Sequence, residues 1–327
     1  FNDSGSPPTL ASSLSGSALL SSGTSPGTVS LSASGFGTLS FDFYPIDTTH
    51  FKVVETDNFA YLGGDVFTQT GASIPSGTVA FTMSGGASGT SGVGNGGVMT
   101  SDGSGNFPSG LEDSNNGVLQ TQVPFSGTAA SGGSVGGRVL VNLTGFSPAS
   151  QWVIYPSSGG LLMLESDSLN TTVGAAYAQT TGATLSTTQG YGLNLSAFNT
   201  TNGYLENDIA EFATVNSAYT GVMDISDDNG AGISLQSVPF AVSFTGPDSN
   251  GEGSATTTAS GSSYVGFNFY MVDDSTVLLL ETDTDQIGTG VFGLQTSSQS
   301  SVMSRGEFST ARPLVRAHVS KRGAKKK

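Results

Sequence analysis

The chain has no cysteine and almost no histidine. Without cysteine among its 327 residues, it can form neither disulfide bonds nor thiolate metal sites, and it has no thiol nucleophile. The two histidines are His50 and His318, and the other repeats described below have no histidine at the place of His50. A Ser-His-Asp triad would need His50 with a partner that no spacing identifies. We therefore expect that the protein is not an enzyme.

Charged residues are scarce and unevenly divided. They make up 11% of the chain, against about 25% in an average globular protein. Residues 1–300 hold 24 acids against Lys52 and Arg138, a net charge of −22, whereas residues 301–327 hold eight cations against Glu307, a net charge of +7. An acidic body repels nucleic acid and anionic membranes, so neither is an expected partner. The basic tail could dock onto the acidic body of the same or another chain, or onto envelope polysaccharide.

Long apolar runs are absent as well. No stretch approaches the roughly 18 apolar residues of a membrane-spanning helix, so no membrane span is predicted. No signal peptide is visible, and the chain begins at Phe1 without Met. This start indicates a processed, trimmed or partial chain.

What the chain does contain is glycine and repetition. Glycine accounts for 47 residues, about twice its usual share. Three copies share one pattern, in which an aromatic residue opens a segment ending in Tyr, a Glu-x-Asp follows two apolar residues, and Gln comes last. The copies are Phe41–Tyr44, Val53–Asp57 and Gln69; Trp152–Tyr155, Met163–Asp167 and Gln179; and Phe267–Tyr270, Leu279–Asp283 and Gln295. Glu precedes Gln by 14 residues in every copy, which chance does not explain.

The residue pattern of the repeats predicts β-strands. Apolar and polar residues alternate with the period of two that strands require, and no stretch has the period of a helix. The second copy predicts eight strands, near residues 79–84, 96–100, 106–112, 118–126, 137–144, 150–155, 161–166 and 173–179. We predict an all-β fold of tandem small antiparallel β-barrels of about eight strands. Sandwich-like meanders are the alternative, but only a barrel removes exposed strand edges.

The repeats divide the chain into four parts. These are a partial β repeat at 1–72 with the C-terminal five strands, full β repeats at 76–182 and 189–297, and a basic flexible tail at 298–327. The first copy is incomplete, and three explanations stay open. It is a truncated repeat of a longer array, a half-domain that a neighbouring chain completes by strand exchange, or a five-stranded sheet packed on the second copy.

The repeat unit resembles a known kind of protein. The Asp102–Asn106 turn, the Glu112–Asn115 segment and the shared Tyr, Glu-x-Asp and Gln ending are similar to secreted, Gly/Ser/Thr-rich tandem-repeat β-domain proteins of environmental bacteria. The resemblance covers residues 1 to about 297, and the third copy departs from it at Asn202–Tyr204. It implies an extracellular or cell-surface location. It implies no activity, because no functional residues are established for that group.

The repeated acids are the best candidates for a binding site. Strand period places Glu and Asp of each pair on one face, in line with an inward-facing apolar series. We expect them at the solvated rim of the barrel. Desolvation, pairing or calcium binding is the alternative, and no other cofactor is expected. The weak calcium candidates are Glu55, Asp57, Glu165, Asp167, Glu281 and Asp283.

Together these features predict a non-enzymatic, extracellular or cell-surface protein with a structural or adhesive role. Its incomplete first repeat offers a route to self-assembly. The alternative function is a β-barrel that binds a small ligand or a carbohydrate. Small interior side chains would favour that alternative, whereas bulky ones favour a filled core.

Overall fold

The structure, a computed structural model, contains only β-strands as regular elements in the part of the chain that it describes. None of these residues forms a helix with the length and apolarity needed to cross a membrane. The basic tail at 298–327 lies outside the described residues. The structure describes residues 14–19, 26–33, 37–57, 63–69, 73–87, 92–130, 137–146, 150–166, 170–201, 203–215, 218–227, 233–259 and 266–295.

The first unit is an open sheet of five antiparallel strands, which we call the half-barrel. Its strands are β1 (Leu14–Leu19), β2 (Gly27–Ala33), β3 (Gly37–Pro45), β4 (His50–Glu55) and β5 (Gly63–Phe67). They pair in chain order. Within the described residues β1 pairs only with β2, and β5 only with β4, so both edges of the sheet are open.

The second unit is a closed barrel of eight antiparallel strands, which we call the first barrel. Its strands are β6 (Ser76–Ala87), β7 (Gly92–Asp102), β8 (Phe107–Asn115), β9 (Leu119–Ala129), β10 (Val139–Thr144), β11 (Gln151–Ser157), β12 (Gly160–Glu165) and β13 (Asn170–Ala178). Pairing of β13 with β6 closes it. All eight predicted strands are present.

The third unit is a second closed barrel of the same topology. Its strands are β14 (Tyr191–Asn199), β15 (Tyr204–Val215), β16 (Ala218–Asp227), β17 (Ile233–Thr245), β18 (Glu252–Ala259), β19 (Gly266–Met271), β20 (Thr276–Glu281) and β21 (Gln286–Leu294). The predicted all-β fold of tandem eight-stranded barrels with an incomplete first copy is therefore confirmed.

Bulky side chains fill the interior of both barrels. In the first barrel the rings of Phe81, Phe125 and Trp152 pack with centroids 5.3 to 6.1 Å apart. In the second barrel Phe292 packs against Phe212 and Phe267, each at 5.2 Å. Because alternate residues of a strand point to opposite faces, each strand contributes several such side chains. The centre of each barrel is therefore a packed core.

The repeated Gln joins one unit to the next. The side-chain amide of Gln69 donates a hydrogen bond to the carbonyl of Pro156 at 3.4 Å. The amide of Gln179 donates to the carbonyl of Met271 at 2.8 Å. Pro156 and Met271 each follow the repeated Tyr of their unit. The same contact thus connects the half-barrel to the first barrel and the first barrel to the second.

A glycine-lined notch receives the second barrel. A Cβ at Gly96 would lie 2.5 Å from Cε2 of Tyr270, and a Cβ at Gly94 would lie 2.8 Å from Cδ1 of Leu280. Only glycine leaves room for these two side chains. The hydroxyl of Tyr270 also donates to the Asp113 carboxylate at 2.7 Å. Shape and hydrogen bonding together fix this barrel-to-barrel joint.

Candidate functional site

The repeated Glu residues lie inside the barrels. Glu165 continues the inward series of Leu161 and Met163, and 4% of its surface is exposed; Glu281 is 1% exposed. The expectation that these two residues lie at a solvated rim is wrong. In the first barrel the wall extends past Glu165, because β13 begins at Asn170, which pairs with Ala87 of β6.

Hydroxyl and amide groups surround the Glu165 carboxylate. Thr172 donates to Oε2 at 2.6 Å, and Ser150 donates to Oε1 at 3.0 Å. The side-chain amide of Asn170 approaches Oε1 at 3.4 Å. Three donors of this kind stabilise the ionised form of a carboxyl group. Glu165 is therefore a buried carboxylate whose oxygens accept hydrogen bonds from the surrounding side chains.

A second carboxyl group, Glu112 of β8, enters the same end of the first barrel. It is 7% exposed, and no described residue donates a hydrogen bond to it. Burial first, and then repulsion by Glu165 and Asp113, raises the pKa of Glu112 from 4.5 to about 8. The two neighbouring carboxyls thus have opposite surroundings, and Glu112 carries its proton at neutral pH.

Sequence reasoning does not place Glu112 in the barrel. Counting alternate residues from the buried Phe107 would put Asp113 inside and Glu112 outside. The register between β8 and β9 shifts between Phe107 and Gly110, and this irregularity reverses the faces that follow. Asp113 therefore points to the second barrel and Glu112 into the first. The two adjacent acids of this strand, Glu112 and Asp113, are the one available signal, since they must point to opposite faces.

The two carboxyls border a cavity of about 370 Å³. Its lining mixes amides with apolar groups: Asn95, Gln120, Asn170, Val123, Phe146 and Trp152. A volume of this size fits a small ligand. The cavity can therefore offer hydrogen-bond acceptors and an apolar wall to the same molecule.

The other calcium candidates do not gather at this cavity. The Asp57 carboxylate accepts a hydrogen bond from the backbone N–H of Ser40 at 2.7 Å in the half-barrel, where Glu55 is half-buried. The carbonyl of Asp283 accepts from the Asn115 amide at 2.6 Å in the joint. Asp167 lies outside the described residues. No group of three His, Cys, Asp or Glu side chains within the described residues could hold a metal ion, and calcium binding stays a prediction.

The second barrel has a different set of groups at this end. Its Glu281 carboxyl accepts no hydrogen bond from the described residues. Burial, and then the carboxylates of Asp283, Glu206 and Asp208, raises the pKa of Glu281 well above its ordinary value. Met223 stands where the first barrel has Glu112, since each pairs with the Val of a Val-Pro-Phe triplet. The second barrel therefore has no carboxyl at the position of Glu112, and its buried carboxyl groups are arranged differently.

Comparison with known proteins identifies no relative: no family model, no curated protein and no solved structure matches the chain.

Proposed function

We propose that this chain is a non-enzymatic structural or adhesive β-repeat protein, exported to the cell surface or beyond, which assembles with a second copy of itself through the half-barrel. The observation that carries the proposal is the open inner face of the half-barrel. A groove of about 410 Å³ lies along it, and all eight side chains that line it are apolar. They include Phe41, Phe43, Phe51, Val53 and Val66.

In a complete barrel the equivalent inner face is covered by further strands. The residues at the places of Phe41 and Phe43 are Trp152 and Ile154 in the first barrel, by their pairing with β12. Both are buried there, because β6, β7 and β8 cover them with residues such as Phe81. The half-barrel has no such cover among the described residues. An uncovered apolar face with open edges is a typical protein-protein contact surface.

A second copy of the half-barrel is the occupant that fits best. Two apolar faces can meet around a two-fold axis without burying a charge. Completion by three strands taken from a neighbour's closed barrel would require that barrel to open. The half-barrel is also held firmly for such a contact, since Gln69 and the Ser158–Thr68 backbone hydrogen bond of 2.8 Å fix it to the first barrel.

Sedimentation velocity of the full chain tests this assembly. We expect a dimer that Val66→Asp converts to a monomer, because the new charge would lie on the apolar face. Val54→Asp is the matched control, since Val54 lies on the neighbouring strand and on the outer face of the sheet. Val66 and Val54 are similarly exposed, at 46% and 51%. The control should remain a dimer.

Three results would overturn the proposal in different ways. A monomeric parent protein would remove the self-assembly. Polymers larger than a dimer would replace face-to-face packing with strand exchange. Surface location has its own test, in which intact producing cells are treated with protease; survival of the full chain in that treatment would exclude an exposed location.

Ligand binding is the second candidate function. The centres of the barrels are filled, but the cavity beside Glu112 and Glu165 favours a ligand at the end of the first barrel. Ligand binding at this cavity would not depend on the half-barrel or on its assembly with a second copy.

A further inference from the structure

We infer that the cavity at the end of the first barrel binds a small organic cation, an alkylammonium or alkylguanidinium group, between Glu112 and Glu165. The inference rests on the second candidate function, ligand binding at this cavity, and not on self-assembly.

The acceptor that such a cation would use is already in place. Glu112 is more than nine-tenths buried, borders the cavity, and has no hydrogen-bond donor among the described residues. Glu165 repels it. A bound cation would displace the proton of Glu112 into solvent, donate hydrogen bonds to the resulting carboxylate and offset the repulsion by Glu165, because charge-assisted hydrogen bonds are the strong ones in proteins. The net charge of −22 on residues 1–300 would attract a cation to the site.

The lining favours an organic cation over a metal ion. Among the described residues, two carboxyls alone border the cavity, and no third His, Cys, Asp or Glu joins them in a metal-binding group. Three donors already engage Glu165, which leaves it as a source of charge and not as an open ligand. Val123, Leu143 and Phe146 form an apolar wall along which an alkyl stem can lie.

The second barrel supplies an internal contrast. Met223 stands at the place of Glu112, so the second barrel has no carboxyl at the position that the proposed cation uses. Glu281, the buried acceptor that has no donor among the described residues of that barrel, lies instead beside Asp283, Glu206 and Asp208. Gly288 at the place of Thr172, each two residues beyond the first residue of its strand, removes a hydroxyl donor. One cation per chain, bound in the first barrel, is therefore expected.

Fluorescence of the single tryptophan provides the test. Trp152 is the only tryptophan of the chain and lines the cavity. The full chain is titrated with butylguanidinium and butylammonium chlorides, and with butylurea as a neutral molecule of the same shape. We expect saturable binding of the cations at a stoichiometry of one by calorimetry, and no binding of butylurea.

Variants locate the site. Glu112→Gln and Glu112→Met should each weaken binding of butylguanidinium at least about tenfold, the effect of losing one charge-assisted contact. Glu281→Gln is the matched control, because it removes a buried carboxyl from the other barrel, and it should leave the affinity unchanged. Equal binding of butylurea, or unchanged affinity in both Glu112 variants, would overturn the inference.

The cation has two possible sources, a free small molecule or the basic tail of this chain. A full-length variant with every Lys and Arg of residues 301–327 changed to Gln separates them. Tighter binding of butylguanidinium by this variant would assign the site to a tail side chain, which competes in the parent protein. Equal affinity would assign it to a free cation.

Discussion

Replacing Glu112 by Gln should stabilise the first barrel, and the gain should grow with pH. The folded protein holds the proton of Glu112 up to a pKa of about 8, against 4.5 for an ordinary glutamate. Between these two values the unfolded chain releases a proton that the folded chain retains. The contribution of Glu112 to the free energy of unfolding is therefore fully present below pH 4.5. It falls by about 1.4 kcal/mol per pH unit as the pH rises toward 8.

The size of this effect makes it measurable. Over the window from 4.5 to about 8, the loss reaches about 5 kcal/mol, a large part of the 5 to 15 kcal/mol that stabilises a typical domain. Gln keeps the shape of the side chain and cannot ionise. The Glu112→Gln variant should equal the parent below pH 4.5 and exceed it by several kcal/mol at pH 8.

Urea denaturation at pH 4, 6 and 8, followed by Trp152 fluorescence, measures the difference in the first barrel. Other groups titrate in this window, but they are common to both proteins and cancel in the comparison. Glu165→Gln is the control in the same cavity. It should destabilise the barrel, because an amide NH₂ would then face the hydroxyl of Thr172, which donates to Oε2 at 2.6 Å. Parallel stability curves for Glu112→Gln and the parent would refute the reasoning.

Three further changes have defined outcomes. Gly96→Val should weaken the barrel-to-barrel joint by about 1 to 3 kcal/mol, because its side chain would overlap Tyr270, and calorimetry should then resolve two unfolding transitions. Gln179→Ala removes donors to the carbonyls of Asn250 and Met271 and should cost about 1 to 2 kcal/mol in urea denaturation. Glu281→Gln should raise the melting temperature, more at pH 8 than at pH 5, because burial raises the pKa of Glu281.

The fold follows from the sequence further than the site does. Period-two alternation and the matched Glu-to-Gln spacing predict the strands, the repeats and the missing part of the first copy. The inward direction of Glu165 and Glu281 follows from the same alternation, although their burial does not. A strand's period gives the face of a residue, but the length of its neighbours decides whether solvent reaches it.

The barrel-to-barrel joint could not be predicted from the sequence, because it is formed around glycines. The segment Gly92–Gly97 has the composition of a turn, yet it is a buried part of β7. The absence of a side chain at Gly94 and at Gly96 is what admits Leu280 and Tyr270 from the second barrel. Propensity disfavours glycine in a strand, and here packing from another unit overrides that preference. Such a contact cannot be predicted without knowing which surfaces meet.

Gly94 and Gly96 also bear on whether another copy can stack on the second barrel. Head-to-tail stacking of another copy onto the second barrel would need a notch like that of Gly94 and Gly96. The pairing of β15 places Asn207 and Ile209 at these positions, and the side chain of Ile209 would occupy the space that a docking tyrosine requires. A joint with the geometry of the one between the two barrels is therefore not expected on this strand of the second barrel. The proposed assembly with a second copy therefore uses the half-barrel, whose apolar face the described residues leave uncovered.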